Sequence, residues 1–184
     1  FDRSGAMKIA KAVVISLIII LTAVFSFEYH LKQHFARSVD DPDGTVTVSG
    51  LAGRVTVRRD RLGVPYIEAK NEEDLFFAAG YVTASDRLWQ MTMMKMIMQG
   101  RLSEVIGEEG FRIDLFMRTL GAAAAVDEAM KKLDPRSLAA VESYARGVNA
   151  YVAAHSHLPV EFILTGYRPE QWQARDSLFV VAMM

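Results

Sequence analysis

One long apolar run lies near the N-terminus, behind a basic flank. Lys8 and Lys11 precede the run, which covers residues 12–27 and is interrupted only by three hydroxyl residues. As a helix, residues 9–27 would be about 28 Å long, which nearly spans a hydrocarbon core of about 30 Å. The run is apolar on all sides, which is typical of a signal peptide or an uncleaved signal anchor rather than a buried core helix.

The charge of this flank indicates an exported protein. Basic residues beside a membrane helix stay in the cytoplasm, so the rest of the chain is expected in the periplasm or another extracytoplasmic space. We expect residues 9–27 to contact the membrane, and both a cleaved and an uncleaved leader fit the pattern. The chain contains no cysteine, which excludes disulfides and thiolate metal sites within it and is compatible with export.

Breaks in the pattern divide the chain into four parts. Residues 37–45 are polar and rich in turn formers, so they separate the apolar helix from a folded body. The expected parts are residues 1–6 as upstream residues before a start at Met7, residues 7–28 as the signal or anchor helix, residues 29–45 as a linker, and residues 46–184 as a folded segment that is truncated at its C-terminal end.

The folded segment begins with a pattern that predicts short strands. Apolar residues from Val46 to Val57 alternate with polar ones around Gly50 and Gly53, and this predicts a hairpin over residues 46–57. Residues 58–63 would turn the chain, and residues 64–69 would form another strand. Pro65 places that strand at an edge or at its own start, because proline donates no ladder hydrogen bond.

From Asn71 onward the apolar spacing becomes helical. Asn71 is expected to cap a long helix that runs to about Gln99 and ends at Gly100. Asp134-Pro135 starts another helix. The remaining predicted elements are a short turn over residues 102–106, helices over residues 113–120 and 122–133, and a final helix capped by Asp176. The helix that starts at Asp134-Pro135 is expected to bury a stripe of Leu138, Val141, Tyr144, Ala145, Val148 and Tyr151.

Composition removes nucleic-acid binding from the candidate functions. Lysine and arginine total 21 residues against 22 aspartates and glutamates, and the charges form no block or stripe. Nucleic-acid-binding proteins carry a clustered basic surface, so no such partner is expected.

Short motifs then occur in order from about Arg54 to the last residue. They are Arg59-Asp60, Gly63-Val64-Pro65, Gly80-Tyr81-Val82, Asp86-Arg87-Leu88, Gln90-Met91, Gly100-Arg101-Leu102-Ser103-Glu104, Arg118, Leu120-Gly121, Tyr144-Ala145, Gly147-Val148-Asn149-Ala150-Tyr151, Leu158-Pro159, Gly166-Tyr167, Trp172 and Asp176-Ser177-Leu178. In order and spacing this set resembles the N-terminal, α-chain part of the penicillin acylase family of N-terminal-nucleophile hydrolases. Tyr66 departs from the histidine that the family often has.

The resemblance implies an α+β fold. The segment would be the mostly helical α-chain part of an αββα sandwich, with short N-terminal strands and one preceding membrane or signal helix. Its implied partners are a downstream β-chain of the same precursor and a small N-acyl amide, with β-lactam side chains and N-acyl-homoserine lactones both open. The implied reaction hydrolyses a linear amide without a cofactor, and a structural calcium would have its ligands beyond Met184.

The resemblance places the nucleophilic serine on the downstream chain, so no catalytic residue is assigned here. Met184 is the one position expected to contact substrate, because the family lines its acyl pocket a little after the Asp-Ser-Leu motif. His30 and His34 share a helix face but have no carboxylate pattern beside them, and no metal site is assigned. His155 and His157 are expected on the solvated surface.

The charged motif residues have a structural and a catalytic interpretation. We expect the charged motif residues to form ion pairs that fix turns and helix packing, rather than to transfer protons. They are Arg59-Asp60, Asp86-Arg87, and Arg101 with Glu104. Tyr144, Asn149 and Tyr151 are expected to pack and cap. The alternative function for the whole chain is a membrane-tethered helical interaction module without catalytic activity.

Overall fold

The computed structural model describes residues 3–38 and 44–182, which fall into two compact units. The first unit is a single helix, α1 (Arg3–Ser38), whose described apolar side chains are exposed apart from the half-buried Leu31. Over Lys11–Gln33 it is long and apolar enough to cross a membrane, a property that signal sequences share. The helix continues past the predicted start of the linker at residue 29, where Glu28 and Lys32 form an ion pair one turn apart. Residues 39–43 of the predicted linker lie outside the described residues.

The second unit begins with a two-stranded antiparallel sheet. Strand β1 (Thr56–Arg59) pairs with β2 (Pro65–Glu68), and Arg59 lies opposite Pro65. The predicted second strand is therefore confirmed, and Pro65 stands at its start. In the turn between the strands, Asp60 accepts hydrogen bonds from the backbone N–H groups of Leu62 and Val64.

The predicted hairpin over residues 46–57 is wrong, because the described residues before Thr56 form no strand. The backbone N–H groups of Ala52 and Gly53 donate instead to the carboxylate of Asp74, at 2.8 and 3.0 Å. These two amides are therefore satisfied by a side chain and not by a partner strand.

The long helix α2 (Glu72–Gln99) has the predicted boundaries. Asn71 accepts a hydrogen bond from the Asp74 N–H at 2.7 Å, and Gly100 ends the helix in the left-handed region with φ of 63°. The helix kinks at Arg87, whose φ and ψ are −145° and 24°.

Six shorter helices and one 3₁₀ turn follow. They are α3 (Ser103–Ile106), the 3₁₀ turn (Gly107–Gly110), α4 (Phe111–Leu120), α5 (Ala122–Met130), α6 (Pro135–Ala154), α7 (Val160–Thr165) and α8 (Ala174–Ala182). Asp134 caps α6 as predicted. Helix α5 ends at Met130, earlier than predicted. Helix α8 begins two residues before Asp176, so that residue lies in the first turn and bonds back to the Gln173 N–H.

The core forms where α2 crosses α6. Ala145, Val148 and Tyr151 of the predicted stripe are buried, while its other three members are half-buried. Two glycines let the helix backbones approach, because a Cβ on Gly80 would lie 2.0 Å from the Tyr144 carbonyl oxygen and one on Gly147 would lie 1.9 Å from that of Phe77. The main cluster consists of Ala84, Leu88, Met91, Ala145, Val148, Tyr151, Phe162 and Trp172.

A smaller cluster joins α2, α5 and α8 through Met98, Val126 and Phe179. The described part of the chain is thus mostly helical with one small sheet, in agreement with the helical segment and short N-terminal strands that were predicted. The two stacked sheets of the implied sandwich do not occur within residues 44–182.

Candidate functional site

An ion pair between Arg59 and Asp86 joins the two-stranded β1–β2 sheet to the middle of α2. The guanidinium donates to both carboxylate oxygens of Asp86, at 2.9 and 2.7 Å, and also to the carbonyl oxygen of Gly63. The two side chains are 28% and 32% exposed. The ion-pair prediction is thus confirmed for Arg59 and Asp86, which pair with each other across the two motifs, and the pair is only partly buried. Asp60 instead binds backbone N–H groups in its own turn.

A second group of charges connects the end of α2 to α8. Lys95 Nζ lies 2.8 Å from the Asp176 carboxylate and 3.4 Å from that of Glu170. Arg101 bonds to Glu104, as predicted, and to both carboxylate oxygens of Glu170. The Lys95 ammonium also lies 5.7 Å from the centre of the Trp172 ring.

The pKa values of Glu170 and Arg101 favour the charged forms of these two residues. Hydrogen bonding from Arg101, followed by its charge and that of Lys95, lowers the pKa of Glu170 to about 2. Hydrogen bonds to Glu104 and Glu170 raise the pKa of Arg101. Sequence reasoning missed Lys95 and Glu170, although a lysine within the methionine-rich stretch of α2 was a signal that a buried cation needs a partner.

Two further buried carboxylates hold loops through backbone N–H groups. Hydrogen bonding from the Ala52 N–H lowers the pKa of Asp74, and the Asn71 amide and the Gly53 N–H add to this effect. Burial raises the pKa of Asp114, but hydrogen bonds from the Ser103 hydroxyl and from the N–H groups of Ser103 and Leu102 outweigh it, so the pKa is lowered. Both groups are therefore ionised at neutral pH and serve as acceptors rather than as acids.

The histidines occupy separate environments. His30 is exposed beside Tyr29, and the side chain of His34 lies outside the described residues. His155 is half-buried instead of fully solvated, because its ring stacks on Tyr151 and its Nδ1 lies 2.8 Å from the Tyr151 carbonyl oxygen. His157 is also half-buried and lies beside Ser156. Within the described residues, no cluster of three or more His, Asp or Glu side chains could hold a metal ion.

Asn149 has the packing and capping role that was predicted for it. Its side-chain amide donates to the Trp172 carbonyl oxygen and accepts from the Trp172 N–H, both at 2.8 Å. Tyr151 is fully buried, and Tyr144 is half-buried. The two hydrogen bonds of Asn149 fix the loop that leads into α8.

Met184, the predicted substrate contact, lies outside the described residues. Helix α8 is described as far as Ala182.

Several of the predicted charged residues form ion pairs, which connect α2 to the β1–β2 sheet, to α3 and to the loop before α8. These contacts give the motif residues architectural roles and leave the expectation for Met184 as a prediction.

The family model for penicillin amidase matches residues 54–184 of the chain. The acyl-homoserine lactone acylase QuiP of Pseudomonas aeruginosa is 41% identical over 155 residues, which cover 84% of this chain and 18% of that protein. The penicillin acylase 2 proenzyme of Pseudomonas sp. strain SE83 is 35% identical over 138 residues, which cover 75% of this chain and 18% of the proenzyme.

Among solved structures, the thermostable penicillin G acylase from Alcaligenes faecalis superposes with a TM-score of 0.64. The identity is 28%, and the match covers 71% of this chain and 72% of that chain. The mostly helical arrangement is therefore shared with a penicillin acylase, while the chain spans less than a fifth of the length of the curated relatives, 18% of the first of them.

Proposed function

The chain belongs to the penicillin amidase family, and we propose that it is the N-terminal, α-chain segment of an amidohydrolase that cleaves linear amides of N-acyl substrates. The family match over residues 54–184 carries this proposal. N-acyl-homoserine lactones are the first candidate substrates and penicillin side chains the second, because the lactone acylase relative is 41% identical and the penicillin acylase 2 proenzyme 35% identical.

The proposed chemistry uses a nucleophile outside residues 1–184. A serine that opens a downstream β-chain attacks the amide carbonyl, and its own α-amino group removes the hydroxyl proton through a water molecule. Hydrogen-bond donors stabilise the oxyanion, the amine leaves with a proton, and water then releases the carboxylic acid. The role of this segment is to provide a helical layer, fixed by the ion pairs of α2, against which the β-chain folds.

The proposal places the enzyme outside the cytoplasm. Helix α1 would direct export and either remain as a membrane anchor or be removed as a signal peptide, in keeping with its exposed apolar surface over Lys11–Gln33. The proposed chemistry requires no cofactor. A structural calcium, if the complete protein binds one, would have its ligands beyond Met184.

The test is to express the complete gene product and determine the chains that it yields by mass spectrometry. We expect self-cleavage before a serine or cysteine, and loss of both cleavage and activity when that residue is replaced by alanine. Release of homoserine lactone from N-acyl-homoserine lactones of several chain lengths should then be compared with release of the amine from penicillins. A gene product with no such residue and no amide hydrolysis would support the interaction module instead.

A further inference from the structure

A groove lined only by apolar residues runs between α5 and α8. Its volume is about 300 Å³, and its walls include Ala125 and Ala129 on α5 and Leu178 and Val181 on α8. All eight lining residues are alanine, valine, leucine or methionine. The groove belongs to none of the charged clusters described above.

The floor of this groove is part of the core. Val126 and Met98 are 5% and 7% exposed and pack with the fully buried Phe179. The wall, in contrast, is open, since Val181 is 65% exposed. A core that opens directly to solvent through an apolar groove lacks the covering layer that a stable domain builds over its apolar face.

The lining favours a protein element over a small molecule as the occupant. Small-molecule pockets contain a few polar groups that fix the orientation of the ligand, and this groove has none among its lining side chains. Two walls formed by helices, with Ala125 and Ala129 one turn apart on one of them, suit the ridge of a third helix that inserts its larger apolar side chains.

The neighbouring helix α4 also carries exposed apolar side chains. Phe116 and Leu120 are 58% and 61% exposed, and Leu120 is separated from α5 by Gly121 alone. Large apolar side chains at this exposure on consecutive elements indicate a surface that is covered in the complete protein.

We propose that the groove between α5 and α8 is the docking site of an apolar helix from the remaining part of the same polypeptide. The proposal rests on the proposed function, in which this chain is the first segment of a longer precursor. The first curated relative has 82% of its length outside the matched region, since only 18% of it is covered. A covering element encoded in the same chain is always present at high effective concentration, which favours it over a second copy.

The test uses thiol labelling, because the 184 residues contain no cysteine. Ala125→Cys places a thiol in the groove, and Ala124→Cys places a matched thiol beside it that does not line the groove; both alanines are exposed. Each variant of the complete gene product is treated with a maleimide, natively and in urea, with the parent protein as background. We expect the groove thiol of Ala125→Cys to react at least about tenfold more slowly than the thiol of Ala124→Cys under native conditions, since a covered thiol reacts only on local opening. In urea the two thiols should react equally fast.

Equal native rates for the two variants would overturn the proposal. Protection of the groove thiol that disappears on dilution, together with a dimer in size-exclusion chromatography, would assign the groove to a second copy and also overturn it. Protection that appears only with an added N-acyl-homoserine lactone would assign it to an acyl chain, with the same consequence. Because labelling does not depend on turnover, a protein without amidase activity can still protect the groove thiol, so the proposed function and this inference fail separately.

Discussion

Lys95 and Asp176 form a buried ion pair that links the end of α2 to the first turn of α8. Their charged atoms are 2.8 Å apart, and the two side chains are only 6% and 1% exposed. Asp176 also accepts the Gln173 N–H, so the same carboxylate fixes the loop before α8. Removal of Lys95 would leave the buried carboxylate of Asp176 without its charged partner, which is the costly case for an ion pair. Removal of the Asp176 charge would leave Lys95 the longer contact of 3.4 Å with Glu170.

We therefore expect Lys95→Met to destabilise the complete protein by about 3–5 kcal/mol, and Asp176→Asn to destabilise it by less, because Lys95 keeps its contact with Glu170. The double variant Lys95→Met with Asp176→Leu should recover much of this loss, because it leaves no uncompensated charge. The control is Lys131→Met, which breaks the exposed pair with Glu128 and should cost less than about 1 kcal/mol. Urea unfolding of the four variants and of the parent protein measures the differences, and equal midpoints for the Lys95 and Lys131 variants would contradict the prediction.

The crossing of α2 and α6 predicts an unusual sensitivity to one methyl group. A Cβ on Gly147 would lie 1.9 Å from the Phe77 carbonyl oxygen, which belongs to the backbone and cannot rotate away. Alanine normally stabilises a helix interior relative to glycine, yet Gly147→Ala should cost about 1–3 kcal/mol or more through overpacking. Ala153→Ser, at an exposed site on the same helix, is the control. An unchanged or raised melting temperature for Gly147→Ala would show that the two helices separate freely.

The two neighbouring arginines of β1 offer a matched comparison. Arg59 makes two hydrogen bonds to the partly buried Asp86, whereas Arg58 pairs with Glu68 where both side chains are 65% exposed. Arg59→Gln should cost about 1–2 kcal/mol because bidentate, partly buried pairs are stronger, and Arg58→Gln less than about 0.5 kcal/mol. Both costs are below those expected for a fully buried pair.

The variant Asp86→Asn tests whether Asp86 has a structural or a catalytic role, through the yield of matured protein and the activity per matured molecule. Asp86→Asn should reduce the yield of matured protein in proportion to the lost stability and leave the activity per matured molecule unchanged. Normal maturation with a large loss of turnover would instead place Asp86 in the catalytic machinery.

The charges around Glu170 predict an acid-sensitive contact. In the folded protein its pKa is lowered to about 2 from an ordinary value of 4.5, first by hydrogen bonding from Arg101. Because the folded pKa is depressed, the contribution to stability is fully present above pH 4.5 and is lost as the pH falls toward 2. Thermal unfolding between these pH values should show a smaller decline for Glu170→Gln than for the parent. Parallel declines would mean that Glu170 does not carry this pH dependence.

The boundaries that sequence reasoning located correctly depend on local chemistry. Asn71 and Gly100 delimit α2 because a side-chain cap and a left-handed glycine act within a few residues of the helix end. The segment before β1 was assigned wrongly because its amides bind Asp74, a residue more than twenty positions away. The pairing of Lys95 with Asp176 depends on how α8 packs against α2, and no local pattern encodes that distance.

The role of α1 is the remaining question that a simple substitution can address. The helix exposes its apolar side chains over Lys11–Gln33, and an arginine at the centre of a membrane helix costs about 2.5–3.5 kcal/mol in insertion experiments. The double variant Ile18→Arg and Leu21→Arg should therefore shift the complete gene product from the exported fraction, membrane-bound or periplasmic, to the cytoplasm and abolish its maturation. Ala36→Arg, an exposed position beyond the apolar span, should leave both unchanged. If the double variant is still exported and matured, export does not depend on α1.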